Sequence, residues 1–288
     1  MNIIDIKDPE DKELKFFSGI SETELIHFYE PEPGVFISES TGVIISALEA
    51  GYEPLSLLIE TERFDTEGGA VFDSIEKLWG REKLESIPIY RAPRDIVASL
   101  TGYKLVRGLW GAFRRKKGSE LLKFLEGKKR VAVLYDVVNP TNVGAIIRSA
   151  AALGMEGAVL THPSVDPLTR RSARVSMGTV FKLPWIKLPK EKPGEEDLPA
   201  KLRSLGFKTA AMALNPDSVN VDDPALRSEE RLAVFLGTEG YGLPKDIIDS
   251  ADYRIMIPMH NGVDSLNVAA ASAVCFFELL KPSPSGGG

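Results

Sequence analysis

The sequence predicts an α/β protein of two domains, each a sheet covered by helices. Three observations carry this. Short runs rich in Val, Ile, Leu and Phe alternate with helix-length segments along the whole chain. Its 288 residues suffice for two domains of ordinary size. A basic run, Arg114 to Lys117, followed by Gly118, separates the halves. The expected boundaries are 1–117 for a first domain, 118–128 for a basic linker, 129–282 for a second domain and 283–288 for a disordered Ser/Pro/Gly tail.

In the first half, residues 1 to 12 are polar and expected to be loosely held. Ser21 is placed to cap a short helix over 22–30. Strands are expected at 34–38, 55–60, 87–90 and 108–113, and helices at 42–50, 72–84 and 93–100, with Gly51 ending the first of these. In the second half, 119–126 is a linker helix and RVAVLY (130–135) a strand. A loop over 136–142 leads to a helix over 143–153, capped by Thr141 or Asn142. Strands at 157–161, 181–186 and 208–213 and helices at 172–180 and 198–205 follow, with a charged surface loop at 189–197. AVFL (233–236) and IMI (255–257) are two further buried strands. Each ends in a polar, glycine-bearing loop, and a long apolar helix closes the chain. This βαβ repetition implies a mostly parallel sheet buried on both faces.

Composition excludes several classes. Hydrophobic residues make up 43% and charged residues 26%, as in soluble globular proteins. No apolar run approaches the roughly 18 residues of a membrane span, and the N-terminus lacks a signal-peptide pattern. The single cysteine, Cys275, lies in an apolar segment and excludes an intrachain disulfide or a cysteine-rich zinc site. A cytoplasmic location is the expectation. No metal-ligand spacing occurs, and the three histidines are isolated. Net charge is −6, which argues against non-specific coating of nucleic acid. The charge is unevenly distributed: ten Lys or Arg lie between Lys104 and Arg130 against Glu120 and Glu126. That is a candidate phosphate-facing patch, and Arg114, Arg115, Lys116 and Lys117 are its core.

Three loops of the second half carry the unusual polar residues. The first is NPTNVGAIIR (139–148), which places Arg148 among apolar helix residues. The second is GTEGYGL (237–243), which carries Glu239. It is neither a Walker loop nor a GxGxxG fingerprint. The third is IPMHNGVDSLNV (257–268), with Ser265 and Asn267 at the start of the last helix, where ordinary N-capping is the simplest role. Strand ends of this kind in open α/β sheets make small-molecule pockets.

Together the three loops resemble the three motifs of the SpoU/TrmH-type RNA 2′-O-ribose methyltransferases of the SPOUT superfamily. The resemblance covers about 131–280, with Ser176-Met177-Gly178 as a further landmark. Thr238 stands where the family more often has asparagine, and Asp264 where glutamate is usual. The first half is similar to the L30e-like substrate-binding domain of many relatives, most clearly in GVFISESTGVIISALEAGYEPLSLLIE (34–60). The resemblance implies an N-terminal L30e-like α/β sandwich and a C-terminal SPOUT domain with a trefoil knot. It also implies S-adenosylmethionine as cofactor, a homodimer, and RNA as substrate, ribosomal before transfer RNA. Asn142, Arg148, Glu239, Ser265 and Asn267 would form the catalytic set. Leu236, Gly237, Gly242, Ile257, Met259 and Leu266 would hold the cofactor. A guanidinium is a poor base because its pKa exceeds about 12. Arg148 is therefore assigned to the target phosphate and the developing alkoxide. The rival reading is a non-catalytic RNA-binding or ribosome-assembly factor on the same fold.

Overall fold

A computed structural model describes residues 1–101, 108–190 and 197–281. Lys104 and Arg107 of the basic stretch, most of the loop expected at 189–197 and the expected tail at 283–288 lie outside the described residues. Two compact units emerge: Met1–Lys117 with Leu168–Lys182, and Gly118–Pro167 with the chain from Leu183 onward.

The first unit contains β1 (Asn2–Asp5), α1 (Glu22–Ile26), β2 (Val35–Glu39), α2 (Thr41–Glu49), β3 (Pro54–Glu60), α3 (Gly69–Trp79), α4 (Arg81–Ser86), β4 (Pro88–Ala92), α5 (Arg94–Thr101) and β5 (Leu109–Arg114). Its sheet has the order β1-β4-β3-β5-β2. β1, β4 and β3 run parallel, and β5 is antiparallel to both neighbours. Ser21 caps α1 through a full capping box with Glu24. The residues expected to be loosely held include β1, which pairs with β4 and carries an Asp5–Arg91 ion pair at 2.6 Å. Its residues are mostly exposed, so backbone pairing holds it and no apolar pattern announces it. The helix expected at 72–84 is two helices, because Gly80 takes φ +86° between them.

The second unit contains α6 (Leu121–Leu125), β6 (Arg130–Leu134), α7 (Pro140–Leu153) and β7 (Gly157–Leu160). The next helix, α8 (Arg170–Val175), lies in the stretch that groups with the first unit. There Arg170 pairs with Glu22 and Arg174 with Glu39. Then follow β8 (Trp185–Lys187), α9 (Leu198–Ser204), β9 (Lys208–Met212), β10 (Val219–Asn220), α10 (Pro224–Ser228), β11 (Leu232–Leu236), α11 (Lys245–Ser250), β12 (Tyr253–Met256) and α12 (Val268–Leu280). The sheet order is β10-β12-β9-β11-β6-β7-β8. Every pair is parallel, so all seven strands end on one edge. β11 is buried along its whole length, as a run covered on both faces requires. Phe124, Val133, Phe207, Phe235 and Ile247 fill the core on one side.

Two expectations shift here. The strand expected at 181–186 is a 3₁₀ turn, Thr179–Phe181, followed by a three-residue strand. Pro184 has no N–H to give to a ladder, so pairing starts after it. The helix expected at 143–153 begins at Pro140, with Asn139 and not Thr141 or Asn142 as its cap. Asn139 Oδ1 accepts from the Thr141 amide at 2.9 Å. Proline suits the first helical position because its missing N–H would be unsatisfied there anyway. The earlier start moves Asn142 from the loop into the first turn.

Candidate active site

The carboxyl ends of β11, β9 and β12 open into a cavity of about 530 Å³. β9 lies between β11 and β12, so the two sequence loops do not leave neighbouring strands. They close over the end of the strand between them. Three wells of residues line the space: Met212, Ala213 and Leu214 after β9; Leu236 to Gly242 after β11; and Ile255 to Ile257, Met259 and Asp264 to Val268 after β12, with Ala271 behind. Leu236, Gly237, Gly242, Ile257, Met259 and Leu266 all line it. The wall from β9 carries no motif. Only the rule that α/β sheets bind ligands at strand ends could have found it in the sequence.

Gly237 is required by close approach. A Cβ there would stand 2.4 Å from the Gly242 carbonyl carbon and 2.5 Å from the Leu243 nitrogen. The loop folds back on itself: the Gly242 amide donates to Thr238 O at 3.1 Å. Glu239, Gly240 and Tyr241 occupy the tip of that turn.

Asn267 joins the motifs. Its Oδ1 accepts from the Ala269 amide at 3.0 Å and caps α12. Its Nδ2 donates to Asn142 Oδ1 at 3.3 Å and to Glu239 Oε1 at 3.4 Å. These are long contacts, of the kind that tighten when a substrate is held. The helices behind them, α7 and α12, pack against each other. Asn142 is 5% exposed, and its Nδ2 has no partner among the described residues. Buried amide donors are nearly always paired, so this one is an exception, and it lies behind the cavity lining rather than in it. Ser265 lines the cavity and makes no hydrogen bond among the described residues. Asn267 alone does the capping expected of either.

Arg148 does not line the cavity. It is exposed on α7 and makes no hydrogen bond or ion pair among the described residues. Six residues along a helix turn it about 240° from Asn142, onto a different face. The structure therefore gathers Asn142, Glu239, Ser265 and Asn267 and leaves Arg148 apart.

The basic run is engaged within the first unit. The Arg114 guanidinium stacks on Tyr29 at 3.7 Å. Arg115 donates to Val35 O at 3.1 Å, and Lys116 donates to Ala50 O at 2.6 Å while lying over Tyr52. Lys117 pairs with Glu32 at 3.2 Å. Lys116 and Lys117 remain exposed. Burial pushes the Cys275 thiol up to about 12, which keeps it protonated and inert. Among the described residues, no group of three His, Cys, Asp or Glu side chains could hold a metal ion.

Comparison with known proteins identifies the family and the fold. A family model described as the SpoU rRNA Methylase family matches residues 129–277. The chain is 31% identical over 282 residues to an uncharacterized tRNA/rRNA methyltransferase of Mycobacterium bovis, covering 96% of this chain and 92% of the relative. It is 29% identical over 156 residues to a putative TrmH family tRNA/rRNA methyltransferase of Staphylococcus aureus, covering 54% and 60%. Among solved structures, an AdoMet-bound rRNA methyltransferase from Sinorhizobium meliloti superposes with TM-score 0.74 at 21% identity, over 96% of this chain and 97% of that one. The SpoU methyltransferase AviRb from Streptomyces viridochromogenes, in complex with AdoMet, superposes with TM-score 0.67 at 23% identity, over 85% and 89%. At these identities the structural likeness is one of fold.

Proposed function

The chain belongs to the SpoU rRNA methylase family, and from that premise we propose that it transfers a methyl group from S-adenosylmethionine to a ribose 2′-hydroxyl of ribosomal RNA. One observation carries the reading: the Asn267 amide bridges Asn142 and Glu239 at the mouth of a cavity floored by strand ends. The residues suit the cofactor. Leu236, Ile257, Met259 and Leu266 offer apolar contact, and the folded-back Gly237–Gly242 loop offers backbone groups. S-adenosylmethionine supplies a methyl group already activated on a sulfonium, so alignment and proton removal remain for the protein.

Alignment of two bound reactants can supply about 7 to 11 kcal/mol. Asn142 Oδ1 accepts from the Asn267 amide and holds it beside Glu239. Glu239, steadied by Asn267, orients the ribose, and Ser265 positions the third loop. The proton leaves the 2′-oxygen for a phosphate oxygen or water. Arg148 binds the target phosphate and stabilises the developing alkoxide.

Arg148 does this from outside its own subunit's cavity. α12 exposes Val274 and Phe277, the latter 55% exposed. Large apolar side chains at this spacing on one helix mark an association surface. A second copy of the chain covers this face and brings the catalytic set together near the interface. The first unit, read as an L30e-like RNA-binding domain, grips folded RNA with Arg114, Arg115 and the exposed side chains of Lys116 and Lys117, which exchange their contacts to Ala50 and Glu32 for phosphates. No helix among the described residues is long and apolar enough to cross a membrane.

Calorimetric titration with S-adenosylmethionine, ATP and NAD, followed by mapping of 2′-O-methyl sites in ribosomal RNA from cells with and without the protein, tests this. Binding of S-adenosylmethionine alone and one site missing from the deleted cells are expected. Binding without any missing site would favour the assembly-factor reading.

A further inference from the structure

We propose that Tyr241 is the stacking platform for the base of the nucleotide whose ribose is methylated; this rests on the reading of the site given above. Tyr241 is 76% exposed, yet it belongs to the cavity wall. Its phenol makes no hydrogen bond among the described residues, so nothing in the subunit's own packing requires the ring there. The backbone fixes where it stands. The Thr238–Gly242 closure makes residues 239–241 a tight tip, and Gly240 and Gly242, at φ +104° and +68°, flank the tyrosine. At that tip Glu239 turns toward Asn267 at 3.4 Å, and Tyr241 carries its ring into solvent at the rim. Their Cα atoms are at most about 7.6 Å apart, the reach of one nucleotide from ribose to base. Leu214, 67% exposed, and Leu266, 40% exposed, extend the apolar rim.

A base must leave its stack for its ribose to enter a walled site, and an exposed aromatic face offers a stack in exchange. Such stacking tolerates any base, so Tyr241 sets affinity and position and leaves the choice of nucleotide to other contacts. It is a positioning residue, since the transferred methyl never touches it.

The test compares wild type, Tyr241→Ala and Tyr241→Phe. The substrate is ribosomal RNA from cells lacking the protein, with S-adenosylmethionine labelled in its methyl group. Replacement by alanine is expected to raise KM for RNA about tenfold. The Kd for S-adenosylmethionine, measured by calorimetry, should stay within twofold, and phenylalanine should restore KM. An unchanged KM in the alanine variant, with active wild type, overturns this inference alone. A tenfold weaker cofactor affinity, a change in oligomeric state by light scattering, or failure of phenylalanine to restore KM also overturns it, by assigning the ring to cofactor, interface or hydroxyl chemistry. Wild type that methylates no RNA overturns the functional reading and this inference together.

Discussion

The two edges of the seven-stranded sheet are built on opposite terms. At the amino edge Arg130, Arg231 and Asp252 are tied down. Arg130 donates to four backbone carbonyls, those of Lys129, Arg227, Glu229 and Glu230. Arg231 donates to those of Leu125, Lys128 and Leu205 and lies over Phe207. Asp252 accepts from the amide and hydroxyl of Thr209 and from Lys208. At the carboxyl edge, among the described residues, Asn142 Nδ2 has no partner, the Ser265 side chain makes no hydrogen bond and Tyr241 stands in solvent; the Arg148 side chain, further along α7, makes none among them either. The same parallel strands supply both edges. Saturated polar groups hold the sheet ends in place, and unsaturated ones wait for something the chain does not contain. The difference teaches where to look for function: an arginine with three carbonyls is structural, and an arginine with none is available.

Four substitutions sharpen or break this contrast. The largest effect is expected from Arg148→Ala. Methyl transfer should fall by at least a hundredfold, about 3 kcal/mol of transition-state stabilisation. Melting temperature should hardly move, since an exposed, unpaired side chain contributes within about 0.5 kcal/mol. Full activity would end its assignment to the reaction. Arg231→Ala should do the reverse. Three part-buried carbonyls lose their donor and Phe207 loses its stacked guanidinium, at a cost of about 3 kcal/mol, seen as a fall of roughly 6 to 12 °C in melting temperature. The remaining folded protein should transfer methyl groups at the normal rate.

Asp252→Asn comes next and carries a pH signature. Burial alone would raise this carboxyl. The hydrogen bonds from Thr209 and Lys208 outweigh it and hold the group below its ordinary value of 3.8. A depressed carboxyl stabilises the fold fully above the unfolded value and loses that contribution as pH falls through the folded one. The variant should therefore be about 2 kcal/mol less stable at pH 7. The gap to wild type should close on acidification below about pH 4, as followed by denaturant titration at several pH values. The smallest effect on stability is expected from Asn267→Ala, which removes the cap of α12 at about 1 kcal/mol. Its loss of activity should far exceed that cost, because the same amide bridges Asn142 and Glu239. A fall in activity no larger than the fall in folded fraction would make it a cap and nothing more.

Most of the strands of both units were legible because apolar runs such as RVAVL and LAVFL have one plausible fate in a chain of this composition. The loop motifs were legible because their residue types and order are unusual together. The weakly signalled elements were missed: β1, held by backbone pairing on an exposed edge; β10, two residues long; and α10 and α11, each under two turns. The start of α7 was misplaced because a proline reads equally as a turn residue and as a first helical residue, and only the Asn139 side chain decided between them.

The sequence by itself determined that three polar loops follow buried segments, that the second of them carries three glycines, and that the chain alternates strand and helix. Only the tertiary structure decided that β9 separates the two motif strands, that Met212 to Leu214 complete the wall, that Asn267 reaches Asn142 across 125 residues, and that Arg148 stands outside the cavity. The physical reason is that strand order and helix rotation are set by how buried faces pack. Periodicity says which residues are buried but not beside which neighbour.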